Sequence, residues 1–266
     1  MTWAILILVL AIALFLFGAK LLKNDNPIVH KSIMVVAIIL IAGSVTRLFV
    51  PHYLVSVNPM ILQEMVQGMQ EQQASETNRE VRRFVRANAT RMMQDAPILG
   101  NPNARNTIFM FTAYSCPFCL RQKNDFYRLL ESRDDVRIVL LNFSIHGMMS
   151  DIPARAMIAA NIQGREYAER LDALLASRQW HSQEILQDAA NAPARILANV
   201  KDLAREAGLD IERLERDMHG EVAQRELAHV RQLAERFQVQ GVPFVIVNDQ
   251  AFPGAIPYQQ IVDALR

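Results

Sequence analysis

The chain has 266 residues, with 28 Lys and Arg against 27 Asp and Glu, so its formal net charge is +1 at pH 7. A charge this close to zero, without a basic block, excludes nucleic acid as the main ligand. The 10 Gly and 11 Pro exclude a collagen-like or low-complexity chain. Two cysteines are too few for a disulfide scaffold or an all-cysteine zinc site, so any cysteine chemistry must come from one pair.

The N-terminal fifth of the chain contains two long apolar runs. Residues 3–22 are apolar apart from Lys20, and they reach the roughly 20 residues that a helix needs to cross hydrocarbon. Residues 32–50 form a second run, in which Arg47 lies near one end and can extend to the headgroups. We therefore predict two transmembrane helices that contact the lipid bilayer. Buried core helices are the alternative, which the length of both runs disfavours.

The charges around these runs predict the topology. Only Met1 and Thr2 precede the first run, so it lacks the positive region of a cleavable signal peptide and is expected to be retained. Three lysines, Lys20, Lys23 and Lys31, lie at the end of the first run and in the connector after it, whereas no Lys or Arg appears between Arg47 and Arg79. By the positive-inside rule the connector is cytoplasmic. Both termini and the remaining domain are then expected on the periplasmic side of a bacterial inner membrane, where disulfides are stable.

Residues 51–97 are predicted to form a helical arm or linker. Asn58 and Pro59 are typical of an N-cap followed by proline at the first helical position. Apolar residues then recur at every fourth position, which indicates one helical face. They are Ile61, Met65 and Met69. The arm is either a spacer that holds the folded domain away from the bilayer or an oligomerisation helix over residues 58–95.

Residues 98–266 have the pattern of an α/β domain. The predicted strands are residues 107–111, 136–143 and 242–247, with a short edge strand at 249–252. The predicted helices are residues 120–132 and 257–265, and an all-helical insert covers about 151–238. The order βαβ, helices, ββα fits a thioredoxin fold with a helical insertion.

Cys116 and Cys119 lie where the first of these strands meets the following helix. Two thiols at i and i+3 can come within disulfide distance when the first is at a helix N-terminus. The unpaired N–H groups and the helix dipole favour an anion there, so we expect a depressed pKa for Cys116. We predict Cys116 as the exposed nucleophile and Cys119 as the resolving thiol, with the apolar ring of Phe118 beside the thiolate.

A single C-x-x-C motif is also half of a zinc site. A zinc site would need two further ligands, and with no other cysteine they would have to be histidines. The candidates are His146, His181, His219 and His229. None of them is spaced as a partner pair to the cysteines, so we expect neither a metal nor another cofactor.

The segment Gly241-Val242-Pro243 supports a redox function. A proline that opens a buried strand cannot donate to the strand ladder and often marks a cis bond in a tight turn. On the residues alone, Pro243 can equally be a strand-edge proline. A cis-proline beside Cys116 would leave the Val242 backbone free to pair with a substrate strand.

Taken together, these motifs resemble the DsbA-like branch of the thioredoxin superfamily. The matching segments are GNPNARNTIFMFTAYSCPFC, ARAMIAA, QVQGVPFVIVN and PGAIPY, in that order, and the resemblance covers about Leu54 to the C-terminus. It implies that Cys116 and Cys119 are the redox pair, that Pro243 is the cis-proline and that Val242 precedes it. Valine at this position is found in DsbA-type oxidases, whereas isomerase-type relatives more often carry threonine.

The arm is similar to the leader helix of ScsC-type proteins, in which such helices can mediate oligomerisation. The chain departs from the family at two positions. Family members commonly hold an acidic residue six positions before the first cysteine and often another three before it, and here these positions are Met110 and Ala113. The buried carboxylate for proton transfer is therefore expected to be absent, which bears on the deprotonation of Cys119 and on the redox direction.

The sequence thus predicts a membrane-tethered thiol-disulfide oxidoreductase. The leading hypothesis is an oxidase that donates its disulfide to exported proteins and is reoxidised by a membrane redox partner. One alternative is a disulfide isomerase or reductase of the ScsC type, kept reduced by a membrane electron donor. Another, from a different class, is a docking subunit of a membrane complex without catalysis.

Overall fold

The computed structural model describes residues 38–39 and 59–265. The transmembrane helices predicted at residues 3–22 and 32–50 therefore lie outside the described residues, apart from two positions in the second. None of the helices within the described ranges combines the length and the apolar character needed to cross a bilayer.

The chain divides into two compact units, residues 1–73 and 74–266. The first helix, α1, runs from Pro59 to Met92, and the boundary falls within it. The unit that carries the cysteines therefore begins at Ala74, whereas the sequence predicted a separate arm up to residue 97.

The reason for this difference is the burial of side chains in the second half of α1. Val81 and Met92 are fully buried and Val85 is nearly so. They pack in one cluster with Phe109 and Phe111 of the sheet. Their helical spacing is the same whether they face a partner helix or the sheet, so periodicity alone did not assign them to the folded unit.

The elements after α1 alternate between strands and helices at both ends of the folded unit. Within the described residues they are β1 (Ile98–Gly100), β2 (Asn106–Thr112), α2 (Pro117–Ser132), β3 (Val136–Asn142), α3 (Met148–Gln163), α4 (Arg165–Ser177), α5 (Gln183–Gln187), α6 (Ala192–Glu206), α7 (Ile211–Met218), α8 (Glu221–Arg236), β4 (Phe244–Val247), β5 (Gln250–Pro253) and α9 (Tyr258–Ala264).

The five strands form one sheet in the order β1-β3-β2-β4-β5. β2 and β3 are parallel because helix α2 crosses over between them, and the other neighbours are antiparallel. Helices α3 to α8 lie between β3 and β4, where the sequence predicted an insert over residues 151–238. The predicted thioredoxin fold with a helical insertion is confirmed.

Strand β1 was not predicted from the sequence. It has only three residues, between Pro97 and Pro102, which is too short for an alternating pattern to show. It is fixed instead by pairing with β3, in which Leu99 lies opposite Ile138.

The two faces of β2 pack into different cores. Ile108 and Met110 belong to the cluster that contains both cysteines, whereas Phe109 and Phe111 belong to the cluster on the side of α1 and α8. This alternation is the period of two expected for a strand that is buried on both faces. It determines which side chains of β2 can reach the thiols.

Candidate active site

Cys116 is the N-cap residue of helix α2. Its backbone is extended, with φ −98° and ψ 113°, and its sulfur accepts a hydrogen bond from the backbone N–H of Cys119 at 3.4 Å. Pro117 occupies the first turn of the helix, where its missing N–H has no helical partner to lose. The strand β2 therefore delivers Cys116 to a helix N-terminus, as the sequence predicted. Both cysteines are free thiols.

The loop before β4 lies against this N-terminus. The peptide bond between Val242 and Pro243 is cis, as the resemblance implied. The Cys116 thiol donates a hydrogen bond to the Val242 carbonyl at 3.3 Å, although the two residues are 126 positions apart. The structure thus brings together all four residues predicted for the site, Cys116, Cys119, Val242 and Pro243.

The prediction that Cys116 is exposed needs a correction. Only 5% of its surface is accessible, because the sulfur faces the Val242 carbonyl. The exposed residue of the motif is Phe118, at 56%, and the Arg121 guanidinium lies 4.6 Å from the centre of its ring. The motif therefore presents to solvent an apolar ring with a cation above it, two residues after the buried sulfur.

Cys119 is completely buried. Burial raises the pKa of its thiol to about 12, while the Ala113 backbone and the Thr112 hydroxyl act in the opposite direction. Cys119 therefore keeps its proton at neutral pH, and any step that leaves charge on this sulfur has to overcome its desolvation.

A polar group that the sequence did not predict lies next to the cysteines. The Ser115 hydroxyl lies 2.8 Å from His146 Nδ1 and 3.3 Å from the Ser150 hydroxyl, which accepts from the backbone N–H of His146. The sequence pattern offers His146 only as a zinc ligand. Its position near Ser115 could be inferred from topology. Ser115 follows β2 and His146 follows β3, and the loops after two neighbouring parallel strands meet at one edge of the sheet. Within the described residues no cluster of His, Cys, Asp and Glu is arranged to hold a metal ion.

The structure contains a buried carboxylate, but at a different position from the family's acidic residues. Met110 and Ala113 are buried and apolar, whereas Asp172 of the insertion is fully buried against α2. Asp172 accepts hydrogen bonds from three groups, which with it form what we call the Asp172 cluster. They are Lys123 Nζ, the Tyr114 hydroxyl and the Tyr127 hydroxyl.

The Asp172 cluster links the insertion to the cysteine motif. Lys123 lies one helical turn beyond Cys119, and Tyr114 lies two residues before Cys116. Burial, with the charge of Asp172 adding to it, raises the pKa of Tyr114 well above its usual range. Tyr114 therefore remains a hydroxyl donor, and the cluster holds both ends of the cysteine motif in place.

Comparison with known proteins agrees with this geometry. Residues 107–266 match the model of the DSBA-like thioredoxin domain. No curated protein matches the chain. A thioredoxin-like oxidoreductase from Silicibacter pomeroyi DSS-3 is 32% identical, with a TM-score of 0.55, over 64% of this chain and 90% of that one.

Two further solved structures share the fold at lower identity. A linker-deletion mutant of Proteus mirabilis ScsC is 18% identical, with a TM-score of 0.58, over 83% of this chain and 91% of its own. The thiol-disulfide exchange protein alpha-DsbA2 from Wolbachia pipientis is 19% identical, with a TM-score of 0.57, over 70% of this chain and 94% of its own. The chain therefore belongs to the family of DSBA-like thioredoxin domains and is a thiol-disulfide oxidoreductase.

Proposed function

We propose that the protein is a membrane-tethered oxidase of the bacterial envelope that donates a disulfide to exported proteins through Cys116 and Cys119. The observation that carries the proposal is the contact between the Cys116 thiol and the Val242 carbonyl beside the cis peptide bond. It combines a sulfur at a helix N-terminus with a backbone segment to which an extended substrate can pair. Valine before the proline supports the oxidase direction by resemblance to DsbA-type oxidases.

The proposed reaction is two successive thiol-disulfide exchanges. A substrate thiolate attacks the Cys116 sulfur of the oxidised pair, and the electron pair of the broken bond leaves with Cys119. The second thiolate of the substrate then attacks the substrate sulfur of the mixed disulfide and displaces Cys116 as a thiolate. The substrate is oxidised by two electrons and the cysteine pair is reduced, so turnover requires a membrane redox partner that accepts two electrons.

Trapping of mixed disulfides tests whether the cysteines act on proteins. A Cys119→Ala variant cannot form the Cys116–Cys119 disulfide, but its Cys116 thiolate can still attack the disulfide of an oxidised partner protein. Because no Cys119 thiolate remains to release the partner, Cys116-linked proteins should accumulate and be visible on non-reducing gels. A Cys116→Ala variant is the matched control and should trap none. If both variants trapped partners equally, or if neither trapped any, the assignment of Cys116 as the sulfur that forms mixed disulfides with substrates would be contradicted.

The redox state of the pair in cells tests the direction. For an oxidase, alkylation of acid-quenched cells should find Cys116 and Cys119 mostly as a disulfide. A mostly reduced pair would instead support the isomerase or reductase. That second candidate is favoured by α1, because Met65 and Met69 are more than 60% exposed and can form an apolar contact between copies.

An oligomer formed through residues 58–95 is tested by changing this face. A full-length M65E/M69E variant should lose a self-associated form that the unchanged protein shows in detergent solution by sedimentation. Gln70→Glu, at an exposed position of the same helix, is the control for added charge. An unchanged sedimentation coefficient in M65E/M69E would remove the support for an oligomerising helix.

The tether and its topology are proposed from the sequence of residues 3–22 and 32–50. The proposal places the cysteines outside the cytoplasm, where a disulfide donor can act. A C-terminal reporter that is active only after export should be active on the full chain. Activity of a cytoplasm-specific reporter at the same position would overturn the proposed location.

A further inference from the structure

Two buried polar residues lie at the ends of the parallel strands, and the role that we infer for them rests on the proposed function. Thr112 ends β2 and Asn142 ends β3, and the two lie opposite each other in the parallel register. Thr112 is completely buried and Asn142 is 2% exposed. We call these two residues the Thr112 pair.

The Thr112 pair faces the cysteines rather than the other core. Along β2, Thr112 continues the face of Ile108 and Met110, and these residues share a cluster with Cys119. Asn142 continues the corresponding face of β3. Both polar side chains therefore lie on the side of the sheet that helix α2 covers.

Each member of the pair has a buried polar atom without a partner. Neither Thr112 Oγ1 nor Asn142 Oδ1 makes a hydrogen bond within the described residues. Almost all buried polar groups in proteins are hydrogen-bonded, so an exception calls for an explanation. The Thr112 hydroxyl is close enough to the Cys119 sulfur to lower the pKa of that thiol, although it makes no hydrogen bond of regular geometry to the sulfur.

Disulfide exchange makes the Cys119 sulfur a better hydrogen-bond acceptor than it is as a free thiol. When a substrate attacks Cys116, the bond between the cysteines breaks and Cys119 leaves as a thiolate, which then takes a proton from solvent. In the opposite direction Cys119 loses its proton to solvent, attacks the Cys116 sulfur and releases the substrate thiolate. Either direction places negative charge on a completely buried sulfur, with no acidic residue at Met110 or Ala113 to relay its proton.

We propose that the Thr112 hydroxyl, beside the Asn142 carboxamide, donates a hydrogen bond to the Cys119 thiolate and stabilises it during disulfide exchange. A hydroxyl can rotate its proton toward the sulfur as charge develops, without movement of the backbone. A donor fixed where charge appears stabilises the transition state more than the neutral ground state. Thr112 thus acts on the resolving sulfur, whereas the helix N-terminus acts on Cys116.

The experiment separates the two sulfurs by their order of reaction. The reduced full-length protein in detergent is mixed with dithiobis(nitrobenzoate), which releases one coloured aryl thiolate when Cys116 attacks it. A second aryl thiolate is released when Cys119 attacks the resulting mixed disulfide and closes the Cys116–Cys119 bond. The fast phase therefore reports on Cys116 and the following phase on Cys119, and each is measured as a function of pH.

Thr112→Val removes the hydroxyl and keeps the shape of the side chain. The second phase should slow by about tenfold, and its pH midpoint should rise by about one unit, because a hydrogen bond to a charged group is lost. The first phase should not change. Thr112→Ser restores a hydroxyl and should recover most of the rate, and Thr112→Ala tests the same loss if the valine variant does not fold.

Thr107→Val is the matched control, because Thr107 lies at the other end of β2 and contacts Arg137 instead of the thiols. It should leave both phases unchanged. A second phase in the Thr112 variants with the rate and pH profile of the unchanged protein would overturn the inference. If the unchanged protein itself releases no second aryl thiolate, the proposed function fails, which is a distinguishable result.

Discussion

Two buried polar regions lie against helix α2, and they differ in how completely their groups are satisfied. In the Asp172 cluster, the carboxylate receives donors from three side chains, and each of these donors finds its acceptor within the cluster. In the Thr112 pair, one oxygen of each residue has no partner within the described residues. The Asp172 carboxylate has its donors before any reaction, whereas the inference gives the Thr112 hydroxyl an acceptor only when Cys119 carries charge.

Burial alone therefore does not define the role of a polar group in this protein. A satisfied network stabilises one arrangement, because removing one partner leaves another unpaired. An unsatisfied donor weakens the resting state slightly and is available to a charge that appears during the reaction. We therefore expect substitutions in the Asp172 cluster to lower the stability of the fold. Substitutions of Thr112 should instead slow disulfide exchange with little or no loss of stability.

The largest expected effect comes from breaking the Asp172 cluster. Asp172→Ala leaves the buried ammonium of Lys123 without its counter-charge, so the free energy of unfolding should fall by about 3–5 kcal/mol. Urea unfolding of the full chain in detergent measures this loss. Combining Lys123→Met with Asp172→Leu should recover much of it, since buried ion pairs can often be replaced by apolar side chains.

Glu206 provides the matched control within the insertion. It forms an ion pair with Arg178, but both side chains are more than half exposed. Glu206→Ala should therefore cost less than about 1 kcal/mol. A loss of similar size for Asp172→Ala would contradict the view that the Asp172 cluster holds the insertion against the cysteine motif.

The sequence predicted the first region less well than the cysteines. Cys116, Cys119 and the start of α2 are encoded within a few neighbouring residues, so spacing and the helix N-terminus indicated them. Asp172 lies 49 residues from Lys123 and 58 from Tyr114, and these contacts form only when the insertion folds onto α2. An aspartate in a helical stretch is usually on the surface, and nothing in the local pattern marked this one as buried.

The elements of the fold likewise differ in how far neighbouring residues encode them. The longer strands β2 and β3 were predicted because each contains an uninterrupted run of four apolar residues, at 108–111 and 138–141. β1 and the second half of α1 depend on contacts with the sheet that periodicity does not encode. The unpaired hydroxyl of Thr112 could be found only in the structure, because it depends on which groups surround Thr112 in the folded chain.

Glu226 extends the comparison to a buried polar group far along the chain from the cysteines. It lies on α8, is 3% exposed, and its Oε1 atom has no partner within the described residues. Burial first, and then the charge of Asp95, raises the pKa of its carboxyl from 4.5 to about 7, while Arg225 opposes the shift. Arg91 and His229 also line the cavity of about 230 Å³ beside it.

This shift makes stability depend on pH. The carboxyl loses its proton near pH 4.5 in the unfolded chain but only near pH 7 in the folded one, so protonation favours folding. Protonated Glu226 therefore stabilises the folded chain by about 3 kcal/mol below pH 4.5, and this stabilisation is lost as the pH rises to about 7. Glu226→Gln should remove this slope and be the more stable protein at pH 8.

Urea unfolding at several pH values tests the prediction for Glu226. Glu235→Gln, an exposed position on the same helix, should leave the slope as it is. Because Glu226 is remote in sequence from the thiols, its substitution should also leave disulfide exchange unchanged. A Glu226→Gln protein that keeps the full pH slope would show that other groups of this cavity are responsible for it.

The smallest expected effect on stability is the most informative for the comparison. Thr112→Val removes an unpaired buried hydroxyl, so the free energy of unfolding should stay the same or rise by up to about 1 kcal/mol. Thr107→Val removes a hydroxyl that accepts from Arg137 at 2.9 Å, and it should cost about 1 kcal/mol. The same substitution at two ends of one strand should therefore change stability in opposite directions. If Thr112→Val destabilised the protein as much as Thr107→Val does, the Thr112 hydroxyl would already make a stabilising hydrogen bond before the reaction. The inference that this hydroxyl is free to donate to the Cys119 thiolate would then lose its physical basis.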